Sequence, residues 1–178
     1  MKTSVILTVV GSDRPGLTRA LADAVLAAGG NWLESHLSRL GGKYVGSVLV
    51  ELPEEGLAKL EQAARAIDVA GLNVTIVGAG EEIQPSGQAL LLELVGQDRP
   101  GIVREVTTVL AGLGVNIEDF ATSRENSSMS GALLFRASAQ LTVPQGTSAD
   151  EVQDALERIS GEIMVDFSMS PGKGRSTA

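Results

Sequence analysis

Gly11-Ser12-Asp13-Arg14-Pro15-Gly16 recurs 85 residues later as Gly96-Gln97-Asp98-Arg99-Pro100-Gly101. Each copy follows a short run of mainly apolar residues, at positions 5–10 and 90–95, and each precedes a pattern typical of an amphipathic helix. Both copies therefore predict the same local structure, which is a buried strand, a tight loop and the N-terminus of a helix.

Each residue type in the loop has an expected role at the start of that helix. The proline fits a first helical turn, where its missing N–H is not needed. The aspartate suits the capping region, and the final glycine lets a ligand or another backbone approach a helix end that favours anions. These residues are Asp13, Pro15 and Gly16 in the first copy, and Asp98, Pro100 and Gly101 in the second.

The repeat extends well beyond the loop at the same offset, without a gap between residues 11 and 50. A register of that length indicates an internal duplication, and its period is the size of a small domain. The chain is therefore predicted to contain two copies of one domain. The matching residues are Arg19 and Arg104, Gly29 and Gly114, Asn31 and Asn116, Ser38-Arg39 and Ser123-Arg124, and Gly46 and Gly131.

Composition excludes several classes of function. The 178 residues carry a net charge of −8, and residues 1–85 and 86–178 carry −3 and −5, so a direct nucleic-acid surface is not expected. The chain has no cysteine, which excludes disulfides, thiol catalysis and cysteine metal sites. We find no signal peptide and no apolar run long enough to span a membrane, so we expect a cytoplasmic protein without membrane partners.

Apolar periodicity and turn residues give the same element order in both copies. We expect domain boundaries at 1–79 and 89–170, a Gly- and Pro-containing linker at 80–88, and a disordered tail at 171–178. The first copy reads as strand 3–10, helix 15–28, strands 31–40 and 43–52, helix 55–69 and strand 72–77. The second reads as strand 89–96, helix 100–113, strands 115–124 and 131–143, helix 148–160 and strand 162–169.

The twice-repeated βαββαβ order predicts an α+β fold of two tandem ferredoxin-like domains. Each would have an antiparallel four-stranded sheet with two helices on one face. One face of each sheet would be left uncovered, so an assembly is expected, with a homodimer as the favoured form.

The order βαββαβ, the Gly-x-Asp-Arg-Pro-Gly loop after the first strand, and an Asn some fifteen residues beyond it together resemble the ACT domain, a small regulatory domain that binds ligands, often amino acids. The resemblance covers residues 3–170. Two such copies with little else attached are similar to the glycine cleavage system transcriptional repressor family.

The resemblance implies a ligand site at an interface between domains, formed by the loop, the start of the first helix and the start of the second strand. The implied residues are Asp13, Arg14, Gly16, Leu17 and Asn31 in the first copy, and Asp98, Arg99, Gly101, Ile102 and Asn116 in the second. Amide N–H groups at a helix start suit an α-carboxylate, the aspartate suits an α-ammonium, and the Asn offers both a donor and an acceptor.

One departure from the family concerns the aspartates. Binding members often have a neutral residue there, and a carboxylate beside the helix end would repel a ligand carboxylate unless an ammonium lies between them. The site would then bind a different ligand, or none. Leu33 in the first copy is replaced by Glu118 in the second, so the copies need not bind alike.

Simpler structural roles remain open for these residues. The loop could be no more than a good helix start, and Asn31 and Asn116 could occupy a left-handed turn after the helix. His36, the only histidine, cannot assemble a transition-metal set without cysteine, so neither a metal site nor a cofactor is expected. Glu118 and Asp119 should point to opposite faces of a strand and are not expected to form an acid–base pair.

The residues and the resemblance together favour one class of function over the others. The favoured one is a regulatory module, in which an amino acid such as glycine shifts the affinity for a partner protein; in the repressor family that partner is a DNA-binding activator. The alternative is an ACT-type assembly or regulatory subunit of a metabolic enzyme, without its own ligand. No catalytic motif is present, and RNA binding through a βαββαβ sheet is disfavoured by five aromatic residues and acidic charge.

Overall fold

The computed structural model describes residues 1–69, 71–81, 86–126, 133–159 and 164–169. The chain divides into two compact units, Met1–Glu82 and Ile83–Ala178, and each is described by itself. The expected tail and residues 82–85 of the expected linker lie outside the described residues.

The first unit is a four-stranded sheet with two helices. Its strands lie in the order β2-β3-β1-β4, and every neighbouring pair is antiparallel. A 3₁₀ turn precedes the second helix. The elements are β1 (Lys2–Ser12), α1 (Leu17–Ala27), β2 (Asn31–Leu40), β3 (Lys43–Pro53), the 3₁₀ turn (Glu54–Gly56), α2 (Leu57–Val69) and β4 (Leu72–Gly78).

The second unit repeats this topology. Its sheet has the order β6-β7-β5-β8, again with antiparallel neighbours. The expected α+β, ferredoxin-like fold is therefore confirmed for both copies. The elements are β5 (Gln88–Gln97), α3 (Ile102–Gly112), β6 (Asn116–Asn126), β7 (Leu133–Val143), α4 (Ala149–Glu157) and β8 (Met164–Met169).

Each unit has its own apolar core between the sheet and the helices. In β1, alternate residues are buried and the others are more exposed, as the two-residue period of a strand requires. Leu21 of α1 and Leu60 of α2 are fully buried against that face, and Leu110 of α3 and Leu156 of α4 take the same role in the second unit. Burial of such a leucine is worth about 1.5–3 kcal/mol.

The register of the sheets corrects one part of the sequence alignment. Tyr44 lies opposite Gly11 in the first unit, and Phe135 lies opposite Gly96 in the second. Tyr44 and Phe135 are therefore structural counterparts, although 91 residues separate them instead of 85. By the same register the counterpart of Gly46 is Ala137, so the match of Gly46 with Gly131 was wrong, because the longer second hairpin shifts everything after it. Gly131 itself lies outside the described residues.

Candidate functional site

The helices after the two loops begin later than the sequence predicted. Helix α1 begins at Leu17 with Gly16 as its N-cap, and α3 begins at Ile102 with Gly101 as its N-cap. The glycines have φ of 93° and 92°, and neither helix has a side-chain cap. The expected roles of the prolines in the first turn and of the aspartates as caps were therefore wrong. The chain first makes a left-handed turn at glycine, so a glycine, and not the aspartate, occupies the N-cap position.

The two aspartates instead form equivalent ion pairs with arginines of the edge strands. Asp13 Oδ2 lies 3.3 Å from Arg39 Nε, and Asp98 Oδ2 lies 3.2 Å from Arg124 Nη1. The strand register explains this contact: Arg39 is paired with Tyr44, which in turn faces Gly11 at the end of β1. Each arginine partly balances the carboxylate that would otherwise oppose an anion at the helix start.

In the second unit these residues border a cavity of about 360 Å³. Its volume is near the lower end of the usual range for small-molecule sites, about 300–1,000 Å³. The cavity opens beside the uncapped amides of α3, so a helix N-terminus with its partial positive charge forms one wall. The lining residues are Asp98, Arg99, Gly101, Ile102, Val103, Thr122, Ser123, Arg124 and Phe135.

A second ion pair at this cavity joins Arg99 to Glu105 in the first turn of α3. Arg99 Nη1 donates to Glu105 Oε1 at 2.8 Å, and Arg99 Nη2 donates to the other carboxylate oxygen. This two-point contact with the guanidinium lowers the pKa of Glu105 below its ordinary value. The first unit has Ala20 at the position of Glu105, and within the described part of the chain no carboxylate pairs with Arg14.

The corresponding region of the first unit has different side chains around the loop. The hydroxyls of Thr18 in α1 and Tyr44 in β3 lie 2.6 Å apart and share a hydrogen bond. Leu37 of β2 is half-buried and packs against the core of that unit. The loops of the two units are thus alike, while the side chains beside them are not.

The structure does not bring the two predicted Asn residues to the loops of their own units. Asn31 faces Glu51, whereas Arg39 faces Tyr44, and Tyr44 comes seven residues before Glu51 in β3. At about 3.4 Å per residue, Asn31 lies roughly 24 Å from the loop end of its sheet. Both Asn residues begin strands, and no non-glycine residue in the described ranges has positive φ, so the left-handed alternative was wrong.

The two Asn residues also differ in their surroundings. Asn116 Nδ2 donates to Glu118 Oε1 at 2.7 Å, and Glu118 lies at the irregularity in the β6–β7 register. Leu33 takes the place of Glu118 in the first unit, at the corresponding irregularity of β2. The carboxylate that the sequence comparison identified as a difference between the copies is therefore engaged with its neighbouring amide.

Leu17 and Ile102 are each 3% exposed, so their side chains belong mainly to the cores. At these positions the backbone, more than the side chain, is available to a ligand. Sequence reasoning missed the ion pairs of Arg39 and Arg124, which are exposed residues of the edge strands. Their exact repetition at the 85-residue offset was the available signal, but strand register was needed to pair them with the aspartates.

Other candidate chemistry finds little support in the described ranges. His36 Nε2 lies 3.3 Å from Glu34 Oε1 on the exposed edge strand. Among the described residues, no group of three or more His, Cys, Asp or Glu side chains is placed to hold a metal ion. None of the helices in those ranges is both long enough and apolar enough to cross a membrane.

Comparison with known proteins identifies a matching family and solved structures of the same fold. A family model described as the ACT domain matches residues 3–74 and 88–170. Phosphoserine phosphatase SerB2 from Mycobacterium tuberculosis (strain ATCC 25618 / H37Rv) is 30% identical over 174 residues. That match covers 94% of this chain, and the chain spans 41% of the length of that relative.

Two solved structures share the full tandem architecture. A protein of unknown function from Galdieria sulphuraria is 28% identical, with a TM-score of 0.78 over 96% of this chain and 99% of that chain. A candidate glycine cleavage system transcriptional repressor is 16% identical, with a TM-score of 0.70 and the same coverage. At 16% identity, the similarity to this second structure shows a shared fold alone.

Proposed function

The chain belongs to the ACT domain family, and from that premise we propose that it is a non-catalytic regulatory protein that binds an amino acid at its ACT domains and thereby controls a partner protein. Such control requires that the ligand bind one arrangement of the protein better than another, because a ligand can shift an equilibrium only by its differential affinity.

The observation that carries the proposal is the cavity beside the uncapped N-terminus of α3. The amides there suit the α-carboxylate of an amino acid, and Asp98 suits its α-ammonium. Arg124 shares the carboxylate of Asp98, so the aspartate would repel the ligand carboxylate less strongly than an unpaired one. Val103, whose side chain is exposed, adds an apolar group to the lining of the cavity beside a ligand side chain.

The ten predicted site residues divide between two ends of each unit. The loop and helix residues lie at one end and the Asn residues at the other. We propose that an Asn contacts the ligand from another ACT domain, as the family resemblance implies for a site at a domain interface. A homodimer in the cytoplasm is the expected form of the protein.

For the partner, we propose a DNA-binding transcriptional regulator of glycine cleavage genes. This step rests on the resemblance of the tandem loops to the repressor family. The net charge of −8 fits control through a protein, because an acidic chain is poorly suited to contact phosphate groups directly.

Thermal unfolding against the twenty amino acids at millimolar concentration tests the proposal. A ligand that binds the native state raises the midpoint, and a concentration 100 times Kd is worth about 2.7 kcal/mol. We expect a rise with glycine or a few relatives that is lost in Asp98→Ala. Asp23→Ala is the matched control, because it removes an aspartate that also lies near an arginine, 3.6 Å from Arg19, away from the loop. A flat response to all twenty would contradict the proposal.

The second candidate is an ACT-type assembly or regulatory subunit of a metabolic enzyme, without its own ligand. The 30% identity to a phosphatase that is more than twice as long favours this candidate, because the part of that relative that matches this chain is accompanied by additional sequence. Co-purification of the tagged chain, followed by mass spectrometry, separates the two: a metabolic enzyme as the main partner supports the second, and a transcriptional regulator supports the first.

A further inference from the structure

The two units carry the same loop but different walls around it, and we infer from this difference that the second unit binds the ligand while the cleft of the first unit is closed by its own side chains. The inference rests on the proposed function, since it names the unit that performs the binding. The walls differ at three positions, which are Val103, Thr122 and Phe135 in the second unit and Thr18, Leu37 and Tyr44 in the first.

The first difference is a hydrogen bond across the cleft. Thr18 Oγ1 and Tyr44 Oη lie 2.6 Å apart, which joins the first turn of α1 to the start of β3. In the second unit Val103 and Phe135 replace these residues and cannot form such a bond, because neither carries a hydroxyl. Both line the open cavity. A ligand entering the first unit would have to break a polar contact that the second unit lacks.

The second difference is the volume of one strand residue. Leu37 and Thr122 are counterparts, since Leu37 faces Gly46 and Thr122 faces Ala137. Leu37 is half-buried and packs on the core, whereas Thr122 is exposed and lines the cavity. The larger apolar side chain thus fills space in the first unit that stays open in the second.

The helix start and the aspartate–arginine pair are shared by both units and therefore serve as an internal control. Both units have the left-handed glycine, the uncapped helix start and the aspartate–arginine pair. Any difference in binding between the units would therefore come from the walls and from Glu105, which holds Arg99 in the second unit where the first has Ala20.

Residue-resolved NMR of the full 18.4 kDa chain tests this assignment. Each of the twenty amino acids is added at millimolar concentration, and the amides of Gly101 and Ser123 are compared with those of Gly16 and Ser38. We expect shifts at the first pair alone. Equal shifts at both pairs would overturn the inference and leave the proposed function standing, whereas no shift at either pair would overturn both.

Thr122→Leu tests the wall directly, because it gives the second unit the side chain of the first at an exposed position. We expect a loss of affinity of about tenfold or more, the scale on which one methylene group changes binding in a fitted pocket. Ala121→Leu is the control, since it places the same side chain on the opposite face of β6. Equal affinity of the two variants would overturn the inference.

The reverse exchange opens the first unit. Leu37→Thr combined with Tyr44→Phe removes the bulk and the hydroxyl, and we expect Gly16 and Ser38 to acquire the ligand-dependent shifts. Retained signals of the parent fold at the other amides show that the variant is folded. A folded variant whose first unit stays unresponsive would show that these walls do not cause the difference.

Discussion

Gly16 and Gly101 hold a backbone conformation that other residues adopt only at a cost. Their φ values of 93° and 92° turn the chain from the strand into the helix and leave the first amides uncapped. Apart from the neighbouring residues of the chain, a methyl group at Gly16 would have no atom within 4 Å. A methyl group at Gly101 would have Glu105 Oε1 as its nearest contact, at 3.9 Å. Space therefore does not demand glycine here, and conformation does.

Gly101→Ala should accordingly lower the stability of the second unit by about 1–2 kcal/mol, the cost of a left-handed alanine. Urea unfolding followed by circular dichroism measures the change. Gly112→Ala is the control, and its free energy of unfolding should change in the opposite direction. Gly112 ends α3 with open space around it and without a left-handed φ. It should stabilise by up to about 0.5–1 kcal/mol. A neutral Gly101→Ala would contradict the conformational argument.

Glu105 gives the protein a predictable acid sensitivity at the residue scale. The contact with Arg99 keeps the pKa of Glu105 in the folded chain below its ordinary value. The folded state then binds fewer protons than the unfolded state, so this stabilising contribution is present above the ordinary pKa and is lost as the pH falls through the folded pKa.

As the pH falls from about 5 to about 3, the free energy of unfolding of Glu105→Gln should therefore decrease less steeply than that of the parent protein. Urea unfolding at a series of pH values gives both slopes. Glu157→Gln is the charge-matched comparison, since that carboxylate accepts a hydrogen bond from the neutral amide of Gln153 at 2.9 Å. If Glu105→Gln and the parent had the same slope, the contact with Arg99 would not stabilise the carboxylate.

At the scale of elements, α4 is the helix with a complete capping box. Ser148 Oγ accepts from Glu151 N at 3.1 Å, and Glu151 Oε2 accepts from Ser148 N at 2.9 Å. Two otherwise free amides are thus satisfied at the start of a nine-residue helix, which is too short to be stable without such contacts and its packing.

Ser148→Ala should lower the free energy of unfolding of the second unit by about 1 kcal/mol. Ser148→Thr keeps a hydroxyl acceptor and should retain most of the stability. The comparison is made by urea unfolding of the full chain followed by circular dichroism. A loss in Ser148→Thr equal to that in Ser148→Ala would show that packing around the serine, and not the cap, provides the stability.

Most elements could be predicted from the sequence because apolar periodicity records which face of each strand and helix is buried. The starts of α1 and α3 could not, since the pattern of a helix does not reveal a left-handed glycine directly after the proline. Nor could the pairing of Asp13 with Arg39, because it depends on the register of three strands. The loops of the candidate site were thus predictable, and the walls that distinguish the units were not.

At the scale of the whole molecule, the duplication gives one chain two separate cores. The two buried clusters share no residue, and each is built from the strands and helices of a single unit. Trp32, the only tryptophan of the chain, packs against the first core. Its fluorescence therefore reports on the first unit, while circular dichroism reports on both.

This difference in reporters allows the independence of the units to be tested with matched core substitutions. Leu21 and Leu110 are both fully buried, in equivalent helices of the two units. Replacing either with alanine should cost about 2–5 kcal/mol through lost burial and the cavity left behind.

We expect Leu21→Ala to shift the transition seen by Trp32 fluorescence to lower urea. Leu110→Ala should leave that transition in place and lower the stability seen by circular dichroism alone, because its core contains no tryptophan. A shift of the Trp32 transition by Leu110→Ala would mean that the units stabilise each other, and ligand binding in the second unit would then be transmitted to the first.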